Sequence, residues 1–548
     1  MTRWHNVILW CAFAVAVGLG LSIFWLPVPL PASASPTRFS AERAGQWVKR
    51  IARAPHPCGS PENRRVRQEL VAVLGDLSLH PRVLEGTQYG TGLANIYGEL
   101  PGTHSSQAPL LLVAHYDSVP SGPGAADDGS GVATVLETIR ALKAQGPWRH
   151  GIGVLLTDGE ERGCLGALAF VRDHPELLRD VRLVVNLEAR GNHGPVIMFQ
   201  TGPDNRRLIQ FFRQACPLPV ATSFSQDVYS RMPNDTDFTR FLKAGKRGLN
   251  FAFVGGLAYY HSPNDTAENL SPRTLQHFGD CVLGIAEHIG RAEDGLLDRL
   301  SDPGNATFFP LCRGVLVHYP DRLAQWLAPV AAALFLAALV KGFWTTRLRL
   351  RGVAASLALC VFSSGLAFGS GTAAVAGLVH LFKVRCYGPF VIGLPFEDGM
   401  LACLLLVAAV ITVGLRTWLL RRLTPTEALA GALVAWVALT LAGRALLLGA
   451  DYLFLWPTLF GALALLFGGA SEANTDSKSL CRGLLSAVPA PLLLAPTILL
   501  FHQAITLGFA PVSMALTALS ISLLPLSSAA QVRQPDTFPE SCSEHQVS

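Results

Sequence analysis

Five short polar clusters in this 548-residue chain hold the residue types that chemistry needs. His115 and Asp117 stand in AHYDS (114–118), and Asp127 and Asp128 in GAADDGSG (124–131). Glu160 and Glu161 adjoin in DGEERGCLGA (158–167), Glu188 lies in NLEARG (186–191), and Tyr260 and His261 lie in YYHSPNDT (259–266). Alone, four of the five have an ordinary reading. A single HxD is surface decoration, an aspartate pair is a helix N-cap, two glutamates are a solvated helix start, and the last cluster is a turn. Together they pose an electrostatic problem. Carboxylates about 4 Å apart repel by roughly 4 kcal/mol at an effective dielectric of about 20, so Asp127, Glu161 and Glu188 meeting in one crevice need protons or cations between them. Two imidazoles with three carboxylates form the ligand set for a pair of divalent metals, and zinc accepts both atom types while catalytic sites keep a position open. Five ligands serve two metals if one carboxylate bridges, and Asp127, in its tight loop, is the natural bridge. His115 is then a ligand, with Asp117 expected to accept its other ring N–H and fix its tautomer. Of the adjacent glutamates, one ligates and the other faces an acidified water as general base and later proton donor.

The fold must deliver these groups to one place. Between 38 and 300, apolar runs alternate with helical periodicity. Strands are predicted over PLLLVA (109–114), GVLLTD (153–158), RLVVNL (182–187), PVIMFQ (195–200) and LNFAFV (249–254), and helices over 131–144, 165–173 and 271–289. That alternation indicates an α/β domain with a largely parallel sheet covered on both faces, and such sheets bind ligands beyond the carboxyl ends of their strands. His115 and Asp117 follow the first run, Glu160 and Glu161 the second and Glu188 the third, while His261 follows the fifth after a short loop. One such coincidence would be noise; four in order build a site.

Half of all residues are hydrophobic and only 15% charged, an average that hides a sharp division. Apolar stretches near the roughly 20 residues that a transmembrane helix needs occur at 7–27, 323–344, 354–382, 399–415, 427–449, 452–470, 483–502 and 506–527. Arg347, Arg349 and Arg351 in one connector, and Arg416, Arg421 and Arg422 in another, fall on the side of Arg3 when the spans alternate. The positive-inside rule then places the 38–320 segment outside the cytoplasm, in a periplasm or an organelle lumen. An Ala32-x-Ala34 pattern after the first span resembles a signal-peptidase site, but the apolar core exceeds the ~7–15 residues of a signal h-region, which favours an uncleaved anchor. Arg444, inside an apolar span, is the one membrane residue with a functional reading, but it is better read as snorkelling or as a helix boundary placed wrongly. The net charge of +5 is small and dispersed and makes no case for nucleic-acid binding. Eleven cysteines without CxxC or CxxH pairing argue against a zinc finger and leave any disulfide unpaired by sequence.

With PHPCGSPENRRVRQEL (55–70) and NDTDF (234–238) added, these motifs resemble the co-catalytic dizinc exopeptidases, which include secreted leucyl aminopeptidases and glutamate carboxypeptidase. They look most like the membrane-bound branch of endoplasmic reticulum and vacuolar membrane metallopeptidases. The resemblance covers about 55–270. It implies a three-layer αβα zinc-exopeptidase domain with a mostly parallel mixed sheet, beside an all-α polytopic membrane domain. It implies His115, Asp127 and Glu188 on one Zn²⁺, Glu161 and His261 on a second, and Asp127 bridging. Glu160 becomes the general base and Tyr260 the donor to the developing oxyanion, and the Asp127–Asp128 peptide is expected to be cis. Where the secreted enzymes carry aspartate as third carboxylate, this chain has Glu188, which blurs how a substrate amine is held. Arg190 and Arg231 are candidate contacts for a substrate carbonyl or carboxylate.

The chain is therefore expected to comprise an N-terminal anchor (1–37), a zinc peptidase domain (38–300), a linker (301–321), about seven membrane helices (322–528) and a polar tail (529–548). The expected activity is peptide hydrolysis by a zinc-bound hydroxide with a glutamate base, in a membrane-anchored enzyme expected to be an aminopeptidase. Its partners would be a peptide substrate and the lipid bilayer. A glutaminyl-cyclase-like acyltransferase, which uses one zinc, and a peptidase-fold regulatory domain of a membrane protein are the alternatives. The complete five-ligand set weighs against the first. Substrate side chain, substrate terminus and oligomeric state are not legible.

Overall fold

The computed structural model describes residues 2–104, 108–301, 303–345, 348–384, 386–387, 390–394, 396–419, 422–467 and 476–524. The polar tail 529–548, Arg347 and Arg421 lie outside the described residues. Seven strands form one sheet: β1 (Arg82–Gln88), β2 (Thr91–Leu100), β3 (Leu110–His115), β4 (Ile152–Thr157), β5 (Leu183–Ala189), β6 (Ile197–Thr201) and β7 (Gly248–Phe253). They lie in the order β1-β2-β4-β3-β5-β7-β6. The central four, β4-β3-β5-β7, run parallel, while β1, β2 and β6 add antiparallel edges.

The central strands are buried along their whole length, which is why they read as continuous apolar runs rather than alternating ones. Within them, side chains go to opposite faces by turns. Leu110, Leu112 and Ala114 pack with the helices Ala41–Ile51, Gly129–Gln145 and Pro272–Gly290, while Leu111 and Val113 pack with Phe170, Phe238 and Phe241 on the other side. The result is the three-layer αβα domain that the sequence led us to expect. The β1–β2 hairpin was not predicted.

Among the described residues, six helices are long and apolar enough to cross a membrane: Trp4–Phe24, Asp321–Thr345, Leu350–Phe382, Glu397–Trp418, Pro425–Leu446 and Lys478–Ile505, the last broken at Val488. The runs expected as spans at 452–470 and 506–527 form shorter helices, Tyr452–Leu466 and Leu507–Ser522. At 1.5 Å per residue these fall short of a ~30 Å hydrocarbon core. Arg444 pairs with Asp451 at 3.1 Å, which gives the intramembrane cation a structural partner. The expected linker folds instead as an antiparallel hairpin, Ala306–Cys312 with Val315–Pro320.

The two halves are stitched together by named contacts. Thr222 Oγ1 and the Tyr452 hydroxyl share a hydrogen bond of 2.9 Å, Ser223 Oγ donates to the Gly449 carbonyl at 2.8 Å, and the Gly449 amide donates to Asp227 Oδ2 at 2.7 Å. The first helix packs on Pro489–Ile505 so closely that a Cβ on Gly20 would strike the Leu492 carbonyl. Just past it, Arg313 of the hairpin donates to Ser22 Oγ at 2.9 Å and to the Trp25 carbonyl at 2.7 Å. Residues 30–34 are held in turn: the Leu30 amide donates to Gln276 Oε1 at 2.9 Å, the Ala32 amide to Glu42 Oε2 at 2.8 Å, and Arg43 Nη1 to the Ala32 and Ala34 carbonyls at 2.7 and 3.0 Å.

Candidate functional site

Four parallel strands end at one crevice, and each delivers its polar group there. His115 is the last residue of β3, Glu188 the penultimate residue of β5, and Glu160–Arg162 forms a single 3-10 turn after β4. Past His115 the chain must double back to bring Asp127 in. Gly124, at φ 69°, takes the left-handed conformation that this turn requires. The Asp127–Asp128 peptide is cis. Asp128 then caps helix Gly129–Gln145, its carboxylate accepting from the Gly131 amide at 3.0 Å and from the His115 amide at 3.3 Å. A Cβ at Gly131 would collide with that carboxylate, so the cap dictates glycine.

The geometry centres on Asp127. Its Oδ1 lies 3.2 Å from His115 Nε2 and its Oδ2 3.1 Å from His261 Nε2. Glu188 Oε2 stands 3.7 Å from His115 Nε2, and Glu161 Oε2 stands 3.1 Å from His261 Nε2. The five residues thus sort into two groups of three that share Asp127. Two ligands at the ~2.0–2.2 Å of zinc coordination and a tetrahedral angle sit about 3.3 Å apart, close to these separations. Glu161 Oε1 has no hydrogen-bond partner among the described residues despite its burial, and His261 Nε2, though 3.1 Å from two carboxylate oxygens, meets neither at hydrogen-bond geometry. Buried polar atoms are rarely left so; lone pairs aimed at a shared point suit a cation.

The electrostatics agree. Burial raises Glu160, Glu161 and Glu188 above the ordinary carboxylate range, and neighbouring carboxylates add to it. Burial works against a charged ring at His261, yet Asp127 and Glu161 override it and raise the imidazole to about 10. His115 is raised in the same way by Asp117 and Asp127. Burial works against charge on Asp127 too, yet its two imidazole contacts lower it to about 2, while the rest of the metal-free cluster is held towards its protonated forms. It is a surplus of negative charge in want of cations.

Asp117 does more than the sequence suggested. His115 Nδ1 lies 3.0 Å from the Asp117 carbonyl oxygen and 3.6 Å from its Oδ1, so the ring hydrogen bond goes to the backbone. The carboxylate instead accepts the amides of Glu160 at 3.0 Å and Glu161 at 3.3 Å. One side chain therefore fixes the first strand end against the glutamate pair. Asn186 Nδ2 donates to Glu188 Oε1 at 3.1 Å and orients it. Tyr260 stacks on His261, ring centroids 3.7 Å apart, and burial pushes its hydroxyl far up, so it remains a phenolic donor.

Sequence reasoning passed over Asp265, although it lies within YYHSPNDT. Its carboxylate accepts the Ala126 amide at 2.7 Å and the Asp127 amide at 3.2 Å, holding the loop that presents the shared ligand, and burial raises it to about 7. Cys164, whose Sγ approaches Glu160 Oε1 at 3.3 Å, was also missed. Of the two candidate arginines, Arg190 lines the cleft and its Nε finds no acceptor among the described residues. Arg231 turns away, donating to the Asp227 and Leu446 carbonyls.

Residues 95–286, which carry most of this sheet and all five of the candidate ligands, match the model of Peptidase family M28. The resemblance read from the motifs therefore holds, membrane-bound branch included. The chain is similar to Endoplasmic reticulum metallopeptidase 1 of Mus musculus, 29% identical over 257 residues, covering 46% of this chain and 28% of that protein. It is similar to the Vacuolar membrane protease of Candida albicans, 32% identical over 273 residues, covering 48% of this chain and 31% of that one. The match thus spans less than a third of either relative. Among solved structures, an aminopeptidase from Aneurinibacillus sp. strain AM-1 aligns at a TM-score of 0.40 and 14% identity, covering 47% of this chain and 96% of its own.

Proposed function

We propose that this protein is a membrane-anchored dinuclear zinc exopeptidase that removes residues from the amino end of peptides outside the cytoplasm. The observation that carries the reading is the division of Asp127 between two imidazoles, one oxygen to each, with Glu188 and Glu161 completing the two groups. His115, Asp127 and Glu188 would hold one zinc, and Glu161, His261 and Asp127 the other. Bound zinc supplies Lewis acidity, polarising a carbonyl and bringing the pKa of a water towards neutrality.

The remaining work belongs to the chain. Glu160, raised by burial and facing the cleft, takes a proton from the attacking water and returns it to the leaving nitrogen as the C–N bond breaks. Tyr260 donates its hydroxyl hydrogen to the carbonyl oxygen as negative charge develops. Asp117 keeps Glu160 and Glu161 in register with His115. Beyond the ligands, the cleft wall carries Glu160, Asp235 and Arg190, and Asp235 is paired with Arg240 at 3.1 Å, which leaves Glu160 as the acid nearest the bound substrate.

The test is a peptide-library digest by the purified full chain, with and without chelator, alongside metal analysis. The reading expects two zincs per chain and shortening from the amino end, abolished by chelator. Digestion indifferent to chelator would refute it. One tight zinc with cyclisation of amino-terminal glutamine would support the acyltransferase instead.

A further inference from the structure

The cleft containing the acids does not end at the globular domain. It is a cavity of about 380 Å³ whose lining runs from Glu160 and Tyr260 to Leu500, Phe501 and Ala504. Those last three belong to helix Pro489–Ile505, within the apolar stretch Lys478–Ile505 that is long enough to cross a membrane. Opposite them, the globular domain contributes Ile197 and Phe199 from β6 and Val254 just past β7.

These walls are packed, not merely adjacent. Leu500 is 5% exposed and clusters with Ile197, Val220 and Ile23. The Phe501 ring lies 4.5 Å from that of Phe224, on the segment that Thr222, Ser223 and Asp227 fasten to Tyr452 and Gly449. Above the cleft, the Arg190 guanidinium sits 4.9 Å from the Phe390 ring, and Val391 bridges to Thr506 at the end of the same helix. The polar end of the cavity is thus built by the globular domain, from residues past the strand ends with Asn234, Asp235 and Tyr260 beside them, and its apolar end jointly by two domains whose contacts fix the spacing.

We propose that the end of helix Pro489–Ile505 forms one wall of the substrate subsite, so that Leu500, Phe501 and Ala504 select the side chain flanking the scissile bond, with bulky aliphatic or aromatic residues preferred. The inference rests on the peptidase reading given above. Its physical basis is continuity. A substrate carbonyl placed against Glu160 and Tyr260 has the apolar end of this same cavity beside it to receive its neighbouring side chain. A cavity of this size, apolar at one end with convergent polar groups at the other, is the usual form of a small-ligand site. The membrane half then takes part in recognition rather than merely anchoring the enzyme.

The test uses the metal-loaded full chain in detergent or nanodiscs, with reporter peptides bearing Ala, Leu or Phe at the cleaved position. Ala504→Phe fills the subsite. It should cut kcat/KM for Leu and Phe peptides by at least about tenfold relative to the Ala peptide, since even one misfitted methylene discriminates about 10- to 200-fold. Phe501→Ala enlarges the subsite and should shift preference towards larger side chains. It also serves if Ala504→Phe fails a thermal-melt check. A second readout needs no turnover: a benzoylphenylalanine peptide is photo-crosslinked to the full chain and the adduct mapped by mass spectrometry. Crosslinks within 500–504 support the proposal. Unchanged Leu:Ala and Phe:Ala ratios in both variants, or crosslinks confined to the globular domain, overturn it. A wild-type chain that cleaves no peptide yet crosslinks at 500–504 would sink the peptidase reading and leave the apolar subsite standing.

Discussion

Replacing Glu160 with glutamine separates the metal site from the chemistry performed in it. The amide is nearly isosteric with the carboxylate. The backbone N–H that Asp117 accepts at 3.0 Å is untouched, and an oxygen remains for the Cys164 thiol. None of the nitrogen–oxygen contacts around Asp127 involves Glu160, so the ligand geometry is expected to survive. What goes is the capacity to take a proton. General-base catalysis is worth about 10²–10⁴ in rate, and at roughly 1.36 kcal/mol per decade that is about 2.7–5.4 kcal/mol of transition-state stabilisation. Glu160→Gln should therefore retain zinc at wild-type stoichiometry by elemental analysis while kcat on a susceptible peptide falls by two to four decades. Glu161→Gln, one residue away, should lose metal and activity together. Near-wild-type turnover in Glu160→Gln, or loss of zinc equal to that in Glu161→Gln, would refute the division of labour between the two glutamates.

Three other expectations can be measured. Zinc binding should release protons, because the metal-free ligands hold them: His261, raised to about 10, is protonated at neutral pH and must give up its proton to coordinate. Affinity should then weaken as pH falls, and calorimetry in buffers of different ionisation enthalpy that finds no proton release would contradict the cluster's charge state. Asp265→Ala should weaken zinc binding about 10- to 100-fold by freeing the Ala126 and Asp127 amides, while an unchanged zinc Kd would remove its positioning role. His277 is buried, with Nδ1 accepting from the Val196 amide and Nε2 donating to the Leu218 carbonyl, and burial lowers it to about 4. A folded pKa below the unfolded ~6.5 means that its stabilisation is present above pH 6.5 and lost as pH falls through about 4, a loss of about 3 kcal/mol. Thermal melts of the zinc-loaded chain should show that limb in wild type and a flatter one in His277→Gln.

The sequence revealed what travels along the chain and concealed what crosses it. β3, β4, β5 and β7 are buried on both faces, so their apolar runs stood out and the charged residues at their ends were conspicuous. β1, RVLEGTQ, lies at an edge with most of its residues exposed or half-buried, and without a hydrophobic face it gave no period to read. Asp265 and the carboxylate of Asp117 act on backbone amides, which every residue possesses, so no residue type marks their partners. Leu500 and Phe501 looked like any other part of a span. Their place in the cleft depends on contacts with Ile197 and Phe224, roughly 300 residues earlier, that no local pattern encodes. The two short helices were read as spans because apolar composition outruns helix length: Pro511 sits at the start of one helix and the other ends at Leu466.

The tethering of residues 30–34 has a bearing on maturation. Were a processing enzyme to cut after Ala34, two termini would appear, yet the segment on either side is already fastened, to Gln276 and Glu42 before the scissile point and by Arg43 across it. The liberated leader would stay docked along Pro489–Ile505 and against Arg313. A gel would report two polypeptides where a sizing column reports one particle, and trimming would leave the leader's grip on the bilayer intact.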